Sequence, residues 1–328
     1  MNQLRWDPTL REWVAYATHR QDRTFLPPAE YCPLCPTKPG GFPTEVPREH
    51  YDIVVFENKF PSFSPDAAAP EEVGSALTPT APGRGVCEVV LYSDDHDATL
   101  AGLSERRIRN LIEAWADRYV ELGSREFVDY VFIFENKGEA IGVTLHHPHG
   151  QIYAYPFVPP QPKRELESAR EYRVDNGRCL HCDLLSQEVS DGRRLVEKGE
   201  HFAAFVPFHA RFPYEVHLYA RRCAPSIADL DDGERRDLTR VLKRVLTGYD
   251  ALFDMSLPYM MVMHQAPTDG GDHEGVAHFH IEFYPVNRTA GKLKYLAGSE
   301  TGAGVFVVDD LPEATAEKLR EAVERAGT

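Results

Sequence analysis

One stretch of this chain is written twice. EVVLYSDDHDATLAGL (88–103) and EVHLYARRCAPSIADL (215–230) align without a gap at an offset of 127 (215 against 88). Such a chain folds as two copies of one unit, and a site in one copy has a counterpart in the other. Each copy reads as a strand, a polar turn and a helix. The first helix places Ile108, Leu111, Ile112, Trp115 and Tyr119 on one stripe, and the second places Leu238, Val241, Leu242, Val245 and Tyr249 at the same i, i+3, i+4 spacing. Both stripes read as core packing, and Asp231 with Glu234 has the spacing of a capping box. Apolar or alternating runs predict strands at WVAYAT, DIVVFEN, CEVVLYS, YVFIFEN, HFAAFVP, EVHLYA, YMMVMHQ and HFHIEFYP. So many strands with two long helices predict an α+β fold of antiparallel sheets with helices packed on them, in tandem duplicated halves, 1–165 and 166–328. No G-x-G-x-x-G follows a strand, which removes support for Rossmann-type dinucleotide binding. The proline-rich stretch 156–176 reads as a crossover between halves, and 61–85 as a low-complexity, disordered surface loop, with an active-site cover as the alternative.

The repeat also organises the cysteines. Four of the six form two C-x-x-C pairs, CPLC (Cys32, Cys35) and CLHC (Cys179, Cys182). A disulfide framework suits small secreted domains, and a redox pair is a second option, but two widely spaced knuckles fit metal better. The offset lays His96 over Cys223, and H147-x-H149-x-Q151 matches H278-x-H280-x-E282. Each half then offers four N/S ligands: Cys32, Cys35, His96 and His147 in the first, Cys179, Cys182, Cys223 and His278 in the second. Four such ligands with no spare position describe a closed, structural zinc site.

HHPHGQ (146–151) concentrates the chemistry. Pro148 argues against a helix interior, and the flanking VTL and IYAY read as extended chain. Residues two apart on a strand share a face, so His147, His149 and Gln151 point the same way. If His147 is committed to zinc, His149 stays free. A neutral imidazole attacks phosphorus and is also a workable leaving group, which suits two-step nucleotidyl transfer through a covalent intermediate. The competing reading has all three histidines on metal.

Charge narrows the partners. Thirty-six Lys and Arg against 51 Asp and Glu leave −15, a surface that repels nucleic-acid phosphates. MNQLRWDPTLREW has no apolar core of a signal, and no run of 18 apolar residues occurs, so a cytoplasmic protein off the membrane is expected.

HHPHGQ resembles the histidine-triad superfamily, and within it the galactose-1-phosphate uridylyltransferase branch, where Gln151 stands in place of a third histidine. The likeness extends through THRQDR (18–23), YCPLC, FENKF (56–60), SDDH (93–96), FENKG (134–138), HQAP (264–267) and HFHIEFYP. It implies that His149 is uridylylated by UDP-glucose, that a hexose 1-phosphate then takes the UMP, and that Gln151 hydrogen-bonds the α-phosphate. It further implies that Thr144 supplies a hydroxyl to the β-phosphate, and that Asn58 and Asn136 contact nucleotide and phosphate. Arg20 and Arg23 are expected to reach the neighbouring subunit's site, with Lys294 on a phosphate and Glu300 on a hexose hydroxyl, in a homodimer with shared sites.

The chain departs from the family at Ser299 and Phe306, where relatives carry a tyrosine and a glutamine near the sugar; the hexose and the base stay open. Some relatives hold a second metal through a glutamate and three histidines, matching Glu165, His264, His280 and, here, Glu282, an alternative to the second cysteine site. That cysteine pair instead resembles a plant ADP-glucose phosphorylase with two structural zinc sites. Two rivals remain at this point: transfer of another nucleotide such as AMP from ADP-glucose, and a duplicated zinc module without catalysis.

Overall fold

The structure, a computed structural model, describes residues 2–22 and 26–327, so Arg23 lies outside the described residues. In chain order the strands are β1 (Asn2–Asp7), β2 (Glu12–Ala17), β3 (Val54–Glu57), β4 (Thr80–Pro82), β5 (Val86–Leu91), β6 (Tyr130–Lys137), β7 (His149–Tyr155), β8 (Leu195–Lys198), β9 (Phe202–Phe205), β10 (Val216–Ala220), β11 (Tyr259–His264), β12 (His280–Pro285) and the short pair β13 (Asn287–Thr289) and β14 (Lys292–Leu293). The helices are α1 (Glu105–Gly123), α2 (Pro160–Asn176), α3 (Leu180–Asp191), α4 (Asp232–Leu252) and α5 (Pro312–Ala326). Nine strands form one antiparallel sheet in the order β3-β5-β7-β6-β11-β12-β10-β9-β8, and β2-β1-β4 form a small sheet beside it. The halves meet where β6 pairs with β11, and going outward β7 answers β12 and β5 answers β10. This is the expected α+β architecture of two repeated halves.

The gapless alignment fails by one residue inside the strands. Leu91 lies opposite His149, whereas Tyr219 lies opposite His280, so strand positions correspond at 128 rather than 127. Burial agrees: Val90 and Leu218 face the helices, while Leu91 and Tyr219 face the other way. The first half holds one extra residue before the turn, after which the offset returns to 127. Ser104 and Asp231 both cap their helices, and Asp231 with Glu234 forms the expected capping box.

Strand alternation gives the sheet two unlike faces. One face packs Val90, Val131, Ile133, Ile152, Met261, Ile281 and Phe283 against α1, α4 and α5, and both predicted helical stripes are fully or nearly fully buried there. The opposite face carries His149, Gln151 and Tyr153 of β7 and His280, Glu282 and Tyr284 of β12.

One reading gains detail and one needs correction: the crossover contains a helix, and the 61–85 stretch is tied down. Residues 160–176 are helical because Pro160 and Pro162 fall in the first turn, where backbone N–H groups have no intrahelical acceptor, and Gly177 ends the helix at φ 69°. The 61–85 stretch is anchored: Phe63 is buried on Tyr155, and Thr80–Pro82 is the strand that pairs with β1. No helix among the described residues is long and apolar enough to cross a membrane.

Candidate active site and metal clusters

His149 opens β7. Its Nδ1 donates to the His147 carbonyl at 2.8 Å, which fixes the tautomer and leaves the Nε2 lone pair for other work. Burial lowers its pKa and keeps the ring neutral. His149 lines a 260 Å³ cavity together with Asn136, Val143, Leu145 and His146. His146 is half exposed and lies 3.4 Å from Glu139, outside the metal cluster. Gln151 follows on the same face, opposite Val89 and Phe134. His147 lies just before the strand and is fully buried. Gly150 has a packing reason: a Cβ there would meet the Tyr92 hydroxyl at 2.2 Å. Nothing in the spacing of HHPHGQ points to that tyrosine.

Both predicted ligand sets assemble. The donor atoms of Cys32, Cys35, His96 and His147 lie within 4.8 Å of one another, as do those of Cys179, Cys182, Cys223 and His278. Cys35 Sγ is 3.2 Å from His96 Nδ1 and 3.5 Å from His147 Nδ1. His278 Nδ1 is 3.7 Å from Cys179 Sγ and 3.6 Å from Cys182 Sγ. Ligand atoms around a tetrahedral zinc, with bonds of about 2.0–2.3 Å, sit roughly 3.3–3.8 Å apart. Two of the three cluster histidines turn their other nitrogen outward: His147 Nε2 donates to Ser93 O and His278 Nε2 to Ala220 O, both at 2.8 Å. That leaves the Nδ1 lone pair facing the thiols, as metal ligation requires. Tyr51 braces the first site by donating to Ser93 O at 2.5 Å and standing 3.0 Å from His147 Nε2. Burial, with Cys32 beside it, pushes the Cys35 thiol up to about 12, a shift that a bound dication reverses. All six cysteines are free.

A third cluster coexists with the second cysteine site, so the two are not alternatives. Glu165, His264 and His280 bring donor atoms within 4.8 Å, and His264 Nδ1 lies 2.7 Å from Glu165 Oε2. Burial opposes charge on His264, but Glu165 and Glu282 raise it to about 9. Glu282 is 3.5 Å from His280 Nε2 and is held from behind by His217, 3.3 Å away, which itself lies 2.9 Å from Glu215. Burial alone would raise Glu282, yet His217 and His264 keep it well below the usual carboxylate range. His217 and Glu215 carried no sequence signal, because neither belongs to a spaced motif.

The remaining expected contacts divide between two places. Asn136 lines the His149 cavity; its neighbours Glu135 and Lys137 face the helices, bound to Tyr259 at 3.0 Å and Asp250 at 2.9 Å. Asn58 accepts from Phe60 N at 2.8 Å. Thr144 and Arg20 line one open groove. Arg20 Nη1 donates within its own chain to Phe60 O, Ser62 Oγ and Tyr153 Oη. Lys294 is buried against Glu300 at 2.9 Å. Ser299 Oγ donates to Val305 O at 2.7 Å. Glu300 and Phe306 line a 670 Å³ cavity beside His280 and Glu282, not the one holding His149.

Residues 1–159 match the family profile described as galactose-1-phosphate uridyl transferase, N-terminal domain, and residues 165–325 the one described as its C-terminal domain. Among curated relatives, the galactose-1-phosphate uridylyltransferase of Thermotoga maritima is 41% identical over 98% of both chains. That of Streptomyces lividans is 38% identical over 98% of this chain and 87% of the relative. A solved uridylyltransferase superposes with a TM-score of 0.86 at 34% identity, covering 99% of both chains. An ADP-glucose phosphorylase from Arabidopsis thaliana shares the fold at 24% identity, with a TM-score of 0.74 and 98% of both chains covered.

Proposed function

The chain belongs to the galactose-1-phosphate uridylyltransferase family, and from that premise we propose how its residues transfer UMP from UDP-glucose to galactose 1-phosphate. His149 Nε2 attacks the α-phosphorus; the P–O bond to the β-phosphate breaks and glucose 1-phosphate leaves with the electron pair. A phosphate oxygen of galactose 1-phosphate then attacks the same phosphorus and the P–N bond breaks, returning neutral His149. The observation that carries this reading is the Nδ1–H bond to His147 O, which aims a neutral Nε2 away from its own backbone and stabilises the positive ring of the intermediate. Gln151 donates to the α-phosphate, Thr144 to the β-phosphate, and Asn58 and Asn136 hold nucleotide and phosphate.

Zinc in both cysteine clusters would fix the turn beneath the nucleophile and contribute folding energy. The Glu165, His264, His280 and Glu282 group is a third cation site in this reading. Residues 1–165 then form the catalytic half and 166–328 its degenerate copy. Arg20, Arg23, Lys294 and Glu300 serve the site of a second subunit in a homodimer. Glu300 and Phe306 line the cavity beside His280 and Glu282 rather than the one holding their own His149, which supports that arrangement. Ser299 and Phe306 set the hexose preference. Free thiols and soluble substrates support a cytoplasmic setting.

The test is mass spectrometry after incubation with UDP-glucose alone, with ADP-glucose in parallel. A UMP adduct on His149 is expected. An adduct on any other residue, wild-type turnover by His149→Ala, or labelling by ADP-glucose only, overturns the reading.

A further inference from the structure

We propose that the cavity between the β1–β2 hairpin and α2 is a second ligand site, shaped for a hexose monophosphate and separate from the cavity holding His149. It measures 720 Å³ and shares no lining residue with the His149 cavity. Trp6 and Trp13 pair across the hairpin, their rings edge to face at 5.2 Å, and both line it.

The charges around this space do not cancel one another. Arg11, Lys163, Arg164 and Arg170 line it, and none of the four enters an ion pair among the described residues. On a chain of net charge −15 such a group draws anions to one place. Glu12, Asp129 and Glu167 also line the cavity and are equally without a cationic partner among the described residues. Lys163 and Glu167 stand one helical turn apart on α2, the spacing at which such pairs close, yet no bridge joins them. Burial, with Asp269 nearby, raises the pKa of Asp129. His273 lines the same space with a side chain only 10% exposed. Its Nε2 lies 2.7 Å from Asp269, and its Nδ1 has no hydrogen-bond partner among the described residues.

Cations and carboxylates held apart around one space suit a ligand that carries both complements. A phosphate accepts from the arginines and the lysine. Sugar hydroxyls donate to the carboxylates, which only accept. The apolar face of a pyranose ring lies against indole. A nucleotide fits worse, because the two indole planes stand 64° apart and cannot sandwich a base, and the carboxylates repel a polyphosphate.

Indole emission reads this site directly. Two of the chain's three tryptophans line the cavity, and the third, Trp115, is buried in the core. No tryptophan lines the His149 cavity. Wild-type and His149→Ala proteins are titrated with glucose 1-phosphate, and separately with inorganic phosphate and with free glucose. Glucose 1-phosphate should give the same saturable change in both proteins, at concentrations where phosphate and glucose give none. The exposed pair Lys163→Ala/Arg170→Ala should weaken that binding by about tenfold or more, the scale of a lost hydrogen bond to a charged group. Lys163→Arg/Arg170→Lys, which keeps both charges, should retain it. No saturable change, an equal response to inorganic phosphate (a plain anion patch), or equal affinity in the double alanine variant overturns the proposal. The UMP adduct on His149 is followed in parallel by mass spectrometry and should form normally in the double variant. Its absence from the wild type counts against the transfer reading, whereas the emission titration decides this site by itself.

Discussion

His149 and His280 occupy equivalent places in the two halves but stand in opposite electrostatic surroundings. Each donates Nδ1–H to the carbonyl two residues back, at 2.8 and 2.7 Å. Each follows a histidine that belongs to a cysteine cluster. The difference lies two residues further along. Gln151 offers an N–H donor and no charge, whereas Glu282 places a buried carboxylate 3.5 Å from the His280 Nε2, with Glu165 across the site. A phosphate meets a donor in the first half and a repelling anion in the second; a cation meets the reverse. The same backbone frame thus presents an anion-accepting donor in one half and, with Glu165 and His264 beside Glu282, a cation-favouring group in the other.

The sharpest way to break this comparison is to delete each histidine. His149→Ala should lose transfer by roughly 10⁴-fold or more, the scale on which removal of a covalent nucleophile acts. His280→Ala should leave the UMP adduct on His149 intact, and an adduct found on His280 would end the division of labour. Next in size, Gln151→Glu copies the second half into the first and should cost about 10²–10³ in kcat, as loss of a donor to developing negative charge does; steady-state kinetics with UDP-glucose measures it.

The metal clusters sharpen the contrast through their thiols. The second site has three cysteines and the first has two, so titration with a chelator should empty the first site before the second. Elemental analysis should give at least two metal ions per chain. Cys32→Ser should lose one of them together with several kcal/mol of stability, and an unchanged melting temperature with full metal content would show the first cluster to be misread. Tyr51→Phe should weaken metal retention at the first site by about 10–100-fold, the usual range for an outer partner of a ligating histidine.

The smallest effect is steric. The Tyr92 hydroxyl stands where a Cβ on Gly150 would go, whereas the second half has Ala220 at the equivalent strand position and the large Ile281 in place of the glycine. Gly150→Ala should therefore cost about 1–3 kcal/mol in denaturant unfolding. Tyr92→Phe on that background should recover part of it, because the 2.2 Å contact disappears while the Phe134 carbonyl at 3.1 Å and the ring carbon at 3.2 Å remain.

Pattern carried the reading as far as local periodicity and covalent spacing reach. Strand runs, helical stripes and the capping box follow from nearest-neighbour geometry, and both N/S ligand sets follow from the repeat. The α2 helix hid behind prolines that favour its first turn, and Tyr51, Tyr92, Glu215 and His217 were silent because no fixed spacing links them to a motif. The one-residue shift between the strands of the two halves was invisible for a related reason. A gapless alignment scores residue identity, whereas register is set by which side chains the sheet buries.

By itself the sequence determined the duplication, the donor types in each cluster, the shared strand face of His147, His149 and Gln151, and the contrast between Gln151 and Glu282. Only the tertiary structure decided that the third cluster exists beside the second cysteine site, that Glu300 and Phe306 lie by the wrong cavity for their own His149, and that Arg20 is bound within its own chain. Those outcomes depend on contacts between segments 40 to 133 residues apart. Such contacts are fixed by the packing of the whole sheet, and no local pattern of residues encodes them.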